Sequence, residues 1–266
     1  MAKDVRTTAS AWGVTSSAYE KFSEDFGDAL FHCVQRLDPQ KGEAILDIAT
    51  GTGWTARLAA KRGANVTGID FSEGLIVAAR EIAYRQGLKI KFDVGDALSM
   101  PYAEGCFDAV ISTFGVIFAS PHETAASELA RVCRPGGRIA LAVWKTDNTL
   151  HDMMRDVFLK FSPPPPDPPP PSPYAWGNET RINELLGSEF DLKFEHATTV
   201  MRAPDGDAAW RLWNEAHGLT VTRMKALDES AQNEFREAFV QFHEHYRTEV
   251  GITIPRDYII AIGVRR

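Results

Sequence analysis

Ile45-Leu46-Asp47-Ile48-Ala49-Thr50-Gly51-Thr52-Gly53 joins an apolar run to a glycine turn, and a helix-like segment follows. An apolar strand over Ala44–Ile48 carries the chain to the rim of a parallel sheet, where Gly51 and Gly53 let a ligand approach bare backbone. A second apolar run, Val66-Thr67-Gly68-Ile69, ends in Asp70, seventeen residues beyond Gly53. A carboxylate at such a strand end accepts hydrogen bonds from both hydroxyls of a ribose. Turn and carboxylate together describe a nucleoside site. Gly51-Thr52-Gly53-Trp54-Thr55-Ala56 also satisfies the G-x-G-x-x-A pattern of dinucleotide-binding folds, so the nucleoside stays open at this point.

Three later features bear on it. Gly95-Asp96-Ala97 closes a third strand-like segment, Ile90 to Val94, and Asp96 is placed to hold an adenine amino group. Phe107-Asp108-Ala109-Val110-Ile111-Ser112 reads as a fourth strand. Arg131-Val132-Cys133-Arg134-Pro135-Gly136-Gly137 ends a helix and turns into a fifth strand, Arg138 to Trp144. In this order, the five motifs resemble the class I S-adenosylmethionine-dependent methyltransferases, and within them the small-molecule branch of ubiquinone and menaquinone type. The resemblance covers about Ala44 to Trp144 firmly and the rest loosely.

The resemblance implies a Rossmann-like α/β fold. Its sheet would be mostly parallel and seven-stranded, in order 3-2-1-4-5-7-6, with the last strand antiparallel and helices on both faces. It implies S-adenosylmethionine as cofactor. It further implies that Asp47 supports the glycine turn, that Ala49, Gly51 and Gly53 line it, and that Asp70 takes the ribose hydroxyls. Phe71 would pack on the adenine, Asp96 and the backbone of Ala97 would read the adenine edge, and the Ser112 carbonyl would meet the cofactor's ammonium. Tyr19 would fold over the cofactor, with Trp12 a similar case; core packing is the alternative for both. Ala49 departs from the family pattern by standing where glycine is frequent.

Composition narrows the class. The 266 residues are 44% hydrophobic and 24% charged, as in ordinary globular proteins. A net charge of −7 argues against a broad phosphate-neutralising surface and so against a nucleic-acid substrate. No apolar stretch approaches the ~20 residues that span a bilayer. Met1-Ala2-Lys3-Asp4-Val5-Arg6 lacks the apolar segment of a signal peptide. Cys33, Cys106 and Cys133 have neither metal-ligand nor disulfide-framework spacing, and no metal is expected; a reducing cytoplasm fits.

The elements that position these residues divide the chain into five stretches of one domain. Residues 1–43 form an N-terminal helical segment in which Tyr19, Phe22, Phe26, Leu30, Cys33, Val34 and Leu37 recur at helical spacing. Residues 44–150 alternate strands and helices as the cofactor-binding core. Residues 151–206 hold a Pro-rich connector and strand six, read over Asp191–Met201. Nine of the 15 prolines lie in Ser162–Pro173, which predicts a polyproline II path. It reads as a stiff linker, as a ligand for another protein's aromatic groove or, as favoured here, as a rigid connector crossing the mouth of the site. Residues 207–251 read as a helical cap insertion, and 252–266 as the final core strand, clearest over Tyr258–Val264.

For the acceptor pocket, Tyr174 and Trp176 follow the connector, while Trp210, Trp213 and His217 share one helix face of the cap. For the three on the cap, an accessory bundle that only enlarges the core is the plain alternative. Methyl transfer from a sulfonium needs alignment and exclusion of water more than covalent help. No catalytic triad is visible. His217 and His151 are weak candidates for a general base; His122 reads as structural, and His243 and His245 as solvated. The segment after strand four, Ser112-Thr113-Phe114-Gly115, lacks the Pro-Pro pattern of nucleic-acid N-methyltransferases. The leading expectation is methyl transfer to a small, partly apolar acceptor. An NAD(P)-dependent oxidoreductase and a non-catalytic nucleoside-binding or sensor protein are the alternatives.

Overall fold

The computed structural model describes residues 11–164, 167, 169 and 171–266. The amino-terminal hexapeptide and Pro165, Pro166, Pro168 and Pro170 of the connector therefore lie outside the described residues. The apolar run Ala44–Ile48 forms β1, whose last four residues are buried. It pairs in parallel with β2 (Asn65–Asp70) on one side and with β4 (Phe107–Thr113) on the other. Neighbours β3 (Lys91–Val94) and β5 (Cys133–Trp144) extend the parallel sheet outward. The last long strand, β8 (Gly251–Arg265), runs antiparallel between β5 and β6 (Phe190–Ala203).

The order is β3-β2-β1-β4-β5-β8-β6, with a two-residue strand β7 (Arg247–Thr248) paired to the start of β8. This is the expected order with one short strand added, so the expected seventh strand is the eighth. The topology reverses between β1 and β4. In open α/β sheets, the crevice outside the carboxyl ends of the strands at that point is where ligands bind.

Two boundaries differ for physical reasons. The final strand starts at Gly251, seven residues before Tyr258, although Pro255 lies inside it. β5 pairs with β8 only from Tyr258 onward, and the Pro255 carbonyl faces Thr149, whose Oγ1 donates to it at 2.8 Å. The missing N–H thus lies on the unpaired side and breaks no ladder. The N-terminal stripe is not one helix but two, α1 (Tyr19–Glu24) and α2 (Gly27–Leu37). Phe26, at φ −129° and ψ 25°, leaves helical geometry, and a Cβ on Gly27 would come within 3.3 Å of the Trp54 ring. The break lets α2 cover the sheet while α1 reaches the glycine turn.

Helices α3 (Trp54–Lys61), α4 (Glu73–Arg85) and α5 (His122–Val132) follow β1, β2 and β4. Beyond β5 come α6 (Thr149–Met153) and α7 (Glu179–Leu186). The insertion between β6 and β8 is α8 (Gly206–Ala216), α9 (Gly218–Ala226) and α10 (Glu229–Glu244). Trp210 packs on Phe235 and Phe239 at centroid distances of 5.5 and 5.3 Å, joining α8 to α10. His243, expected in solvent, is instead buried; its Nδ1 meets the Phe239 carbonyl at 2.8 Å and its ring stacks on Phe239.

Candidate cofactor and acceptor site

The site grows from the turn after β1. Ala49 and Gly51 adopt φ of +53° and +57°, the left-handed region that glycine enters freely and alanine only with strain. A Cβ on Gly51 would come within 3.5 Å of the Tyr19 ring, so bare backbone faces the cleft beneath that ring. Asp47 is buried below the turn and holds it, accepting from Thr50 Oγ1 at 2.6 Å. Asp70, at the end of β2, is buried and accepts from Gly51 N and Ser72 N, each at 2.9 Å. Each Asp70 oxygen takes one backbone N–H and keeps a second lone pair for another donor.

Two adjoining cavities meet at this carboxylate. The wider, about 330 Å³, is lined by Ile69, Phe71, Asp96, Ala97 and Leu98, and is closed by Ile117, Phe118, Pro171 and Pro173. The narrower, about 80 Å³, runs under Trp12 and Tyr19 between Phe26, Leu30, Trp54, Thr113 and Phe114. Asp70, Phe71, Ala49, Gly115 and Phe118 line both. Gly115 is itself required here, because a Cβ would stand 2.5 Å from that of Ala49. Trp12 packs edge-on to Tyr19 at 5.8 Å and against Phe118 at 5.2 Å, so the N-terminal segment spans the crevice as a roof.

Burial decides the charges. It pushes the Asp70 carboxyl up from 3.8 to about 6, against the opposing pull of the Ser72 and Gly51 N–H groups. It pushes Asp47 to about 7, again with the Thr50 hydrogen bond opposing. Burial, and secondarily the Asp70 charge, raises the Tyr19 phenol far above its ordinary range, which keeps it neutral.

Ala49, Gly51, Asp70, Phe71, Asp96, Ala97 and Tyr19 thus come together, with Asp47 supporting from beneath. Two expected residues do not join them. Gly53 lines neither cavity; at φ +80° it begins α3 with Phe92 against its backbone, where a Cβ would meet that ring at 2.8 Å. We expect Gly53→Ala to lower stability by about 1–2 kcal/mol in denaturant titration, from left-handed strain and this contact. Ser112 is fully buried; its Oγ donates to Ile48 O at 2.7 Å and accepts from Val116 N at 3.1 Å. The next residues, Thr113 and Phe114, reach the cleft instead.

The expected acceptor aromatics are elsewhere. Trp213 is buried against Phe22, Phe158, His217 and Phe239. His217 is buried among Trp12, Phe22 and Trp213, bonded through Nδ1 to Thr220 at 2.8 Å, and burial lowers it to about 3, so it stays neutral. Trp176 is fully buried beside His122, because the backbone at Gly177 closes onto Trp144 O, leaving no room for a Cβ. Tyr174 packs on His151, and His151 faces a separate polar cleft with Asp147, Asp152 and Asp257. The insertion therefore backs the N-terminal roof; it does not line the cleft. Sequence reasoning missed Trp54, Thr113, Phe114 and Phe118. Phe114 takes φ +59° as the chain leaves β4, a turn that its residue type does not announce.

A glycine turn under a switch point, with a carboxylate ending the next strand, defines a nucleoside-binding α/β protein. A methyltransferase domain profile matches residues 45–137. Uncharacterized protein Rv1403c of Mycobacterium tuberculosis (strain ATCC 25618 / H37Rv) is 35% identical over 197 residues, 73% of this chain and 70% of the relative. Demethylmenaquinone methyltransferase of Thermus thermophilus is 40% identical over 123 residues, 46% of this chain and 48% of that protein. The chain spans about half the length, 53%, of the first curated relatives it matches. The YcgJ protein of Bacillus subtilis superposes with a TM-score of 0.63 at 16% identity, over 90% of this chain and 98% of that one. A phosphoethanolamine N-methyltransferase of Haemonchus contortus, solved with S-adenosyl-L-methionine, gives a TM-score of 0.57 at 18% identity, over 89% and 52%. Likeness at such identities concerns the fold alone. The chain belongs to the methyltransferase family that this domain profile describes.

Proposed function

We propose that the chain transfers a methyl group from S-adenosylmethionine to a small, partly apolar organic acceptor. One observation carries the reading: Asp70 sits at the junction of a nucleoside-sized cavity and a narrow aromatic one. The donor set suits the cofactor. Asp70 would accept from the ribose hydroxyls, Asp96 and the Ala97 backbone would meet the adenine edge, and Phe71 would cover it. When bound, the cofactor supplies an electrophilic methyl on a sulfonium. The aromatic walls of the narrow arm exclude water and confine an acceptor. Its titratable lining side chains are Tyr19 and Asp70, with no histidine among the described residues, so positioning supplies the rate rather than a general base. Free cysteines, and the lack of a helix long and apolar enough to cross a membrane among the described residues, are in keeping with a cytoplasmic enzyme. Pro171 and Pro173 on the wider cavity support the reading of the connector as a wall of the mouth. Incubation with methyl-labelled cofactor and a panel of quinols, phenols, thiols and amines, read by mass spectrometry, tests the proposal. Label in a small product supports it; label found only in protein or nucleic acid contradicts it.

The carboxylates give a pH signature. Asp47 and Asp70 are both raised, so the ligand-free fold keeps protons that the unfolded chain has lost. Their contribution to stability is whole below pH about 4 and fades as the pH rises through about 6 and about 7. A ligand that donates to Asp70 needs the ionised form. Its affinity should rise with pH through about 6 and level off above, being roughly tenfold weaker at pH 5 than above neutrality. Titration of S-adenosylhomocysteine across this range checks it, and Asp70→Asn should flatten the slope.

A further inference from the structure

We infer that Arg57 and Glu20 form a latch that holds the N-terminal roof, residues 11–24, down on the glycine turn, making Arg57 a positioning residue for ligand retention. Arg57 lines neither cavity. It lies in the first turn of α3 with its side chain 5% exposed, and its Nη2 pairs with Glu20 Oε1 from α1. Nη1 donates to the Thr52 carbonyl at 2.6 Å, and Thr52 Oγ1 donates to Glu20 Oε2, also at 2.6 Å. Three residues thus close a ring between roof and turn. Glu20 is the neighbour of Tyr19, the side chain that covers Gly51.

The back of the roof packs through Phe22 and Trp12 on Trp213 and His217 of the insertion, and its other polar ties to the body are slight. Trp12 and Tyr19 make apolar contacts, Ser16 Oγ reaches Gly74 O at 3.4 Å, and Lys21 pairs with Glu215 in solvent. Exposed pairs of that kind contribute little. The Arg57 pair is different because its guanidinium is buried. Lifting the roof removes Glu20 and leaves that charge without its partner, while the bond to Thr52 O ties Arg57 to the turn and hinders it from following. An unpaired buried charge is strongly unfavourable, so the ring biases the roof toward the closed position. A cleft arm of about 80 Å³ under the roof would have to open for a ligand to enter or leave, and the latch would set how often that happens.

The inference rests on the proposed function only for the identity of the ligand, so its main test needs none. Hydrogen–deuterium exchange of the full chain is compared among wild type, Arg57→Met, Glu20→Gln and the double variant. Peptides covering residues 11–24 should exchange about tenfold faster in each single variant, with β1 and β4 unchanged. The double variant should be no faster than either single, because both remove one interaction. S-adenosylhomocysteine should dissociate about tenfold faster from the variants, with association less affected. Should Arg57→Met fail to fold, Glu20→Gln, whose side chain is 25% exposed, decides the matter alone. Wild-type exchange in the roof, additive effects in the double variant, or faster exchange spread across β1 and β4 would each overturn the latch. If wild type holds no S-adenosylhomocysteine, the proposed function fails, while the exchange pattern still decides the latch.

Discussion

Trp213→Ala should destabilise the chain by about 3–5 kcal/mol, the usual consequence of removing a buried aromatic. Trp213 is 3% exposed and touches Phe22 of α1, Phe158, His217 and Phe239 of α10, so its indole is the packing between the insertion and the back of the roof. The position reads from sequence as an acceptor contact on a lid. The structure reverses the order of layers: the roof lies on the cleft and the insertion lies on the roof. Urea titration checks the value. A variant that unfolds with the wild-type midpoint yet fails to turn over acceptor would return Trp213 to the pocket.

Asp70→Ala should weaken S-adenosylhomocysteine binding by about 1.5–3 kcal/mol, roughly ten- to a hundredfold or slightly more. The carboxylate contributes twice. It accepts from Gly51 N and Ser72 N, which fixes the turn against β2, and it keeps lone pairs toward the junction of the two cavities. Alanine leaves both N–H groups without their acceptor and removes the hydroxyl partner. Asp70→Asn should lose less, since an amide oxygen still accepts one of these bonds. Calorimetry on folded variants measures the difference, and equal affinity of Asp70→Ala and wild type would mean that the ribose lies elsewhere.

The parts of the site that were legible are those encoded locally. An apolar run into Gly51, a strand ending in Asp70, and Gly95-Asp96-Ala97 each state a backbone path and a side chain at its end, and strand order brings the three ends together. What failed depended on packing. Gly53 and Gly51 look alike in sequence, yet Phe92 occupies the space beside one and Tyr19 covers the other. Ser112 and Thr113 differ by one step, which exchanges a side chain bonded to Ile48 O for one on the cleft. Trp176 and His243 sit in stretches that look like a rim and a solvated helix face, and both are core residues because elements distant in sequence close over them. The break between α1 and α2 was hidden by a stripe that continues through it, and that break is what carries Tyr19 to the turn.

Calorimetric titration of the purified chain with S-adenosylhomocysteine and, separately, with NAD tests the central claim most directly. The cleft described above predicts one S-adenosylhomocysteine per chain, with affinity falling below pH about 6, and no measurable heat with NAD. Saturable binding of NAD with none of S-adenosylhomocysteine would contradict it.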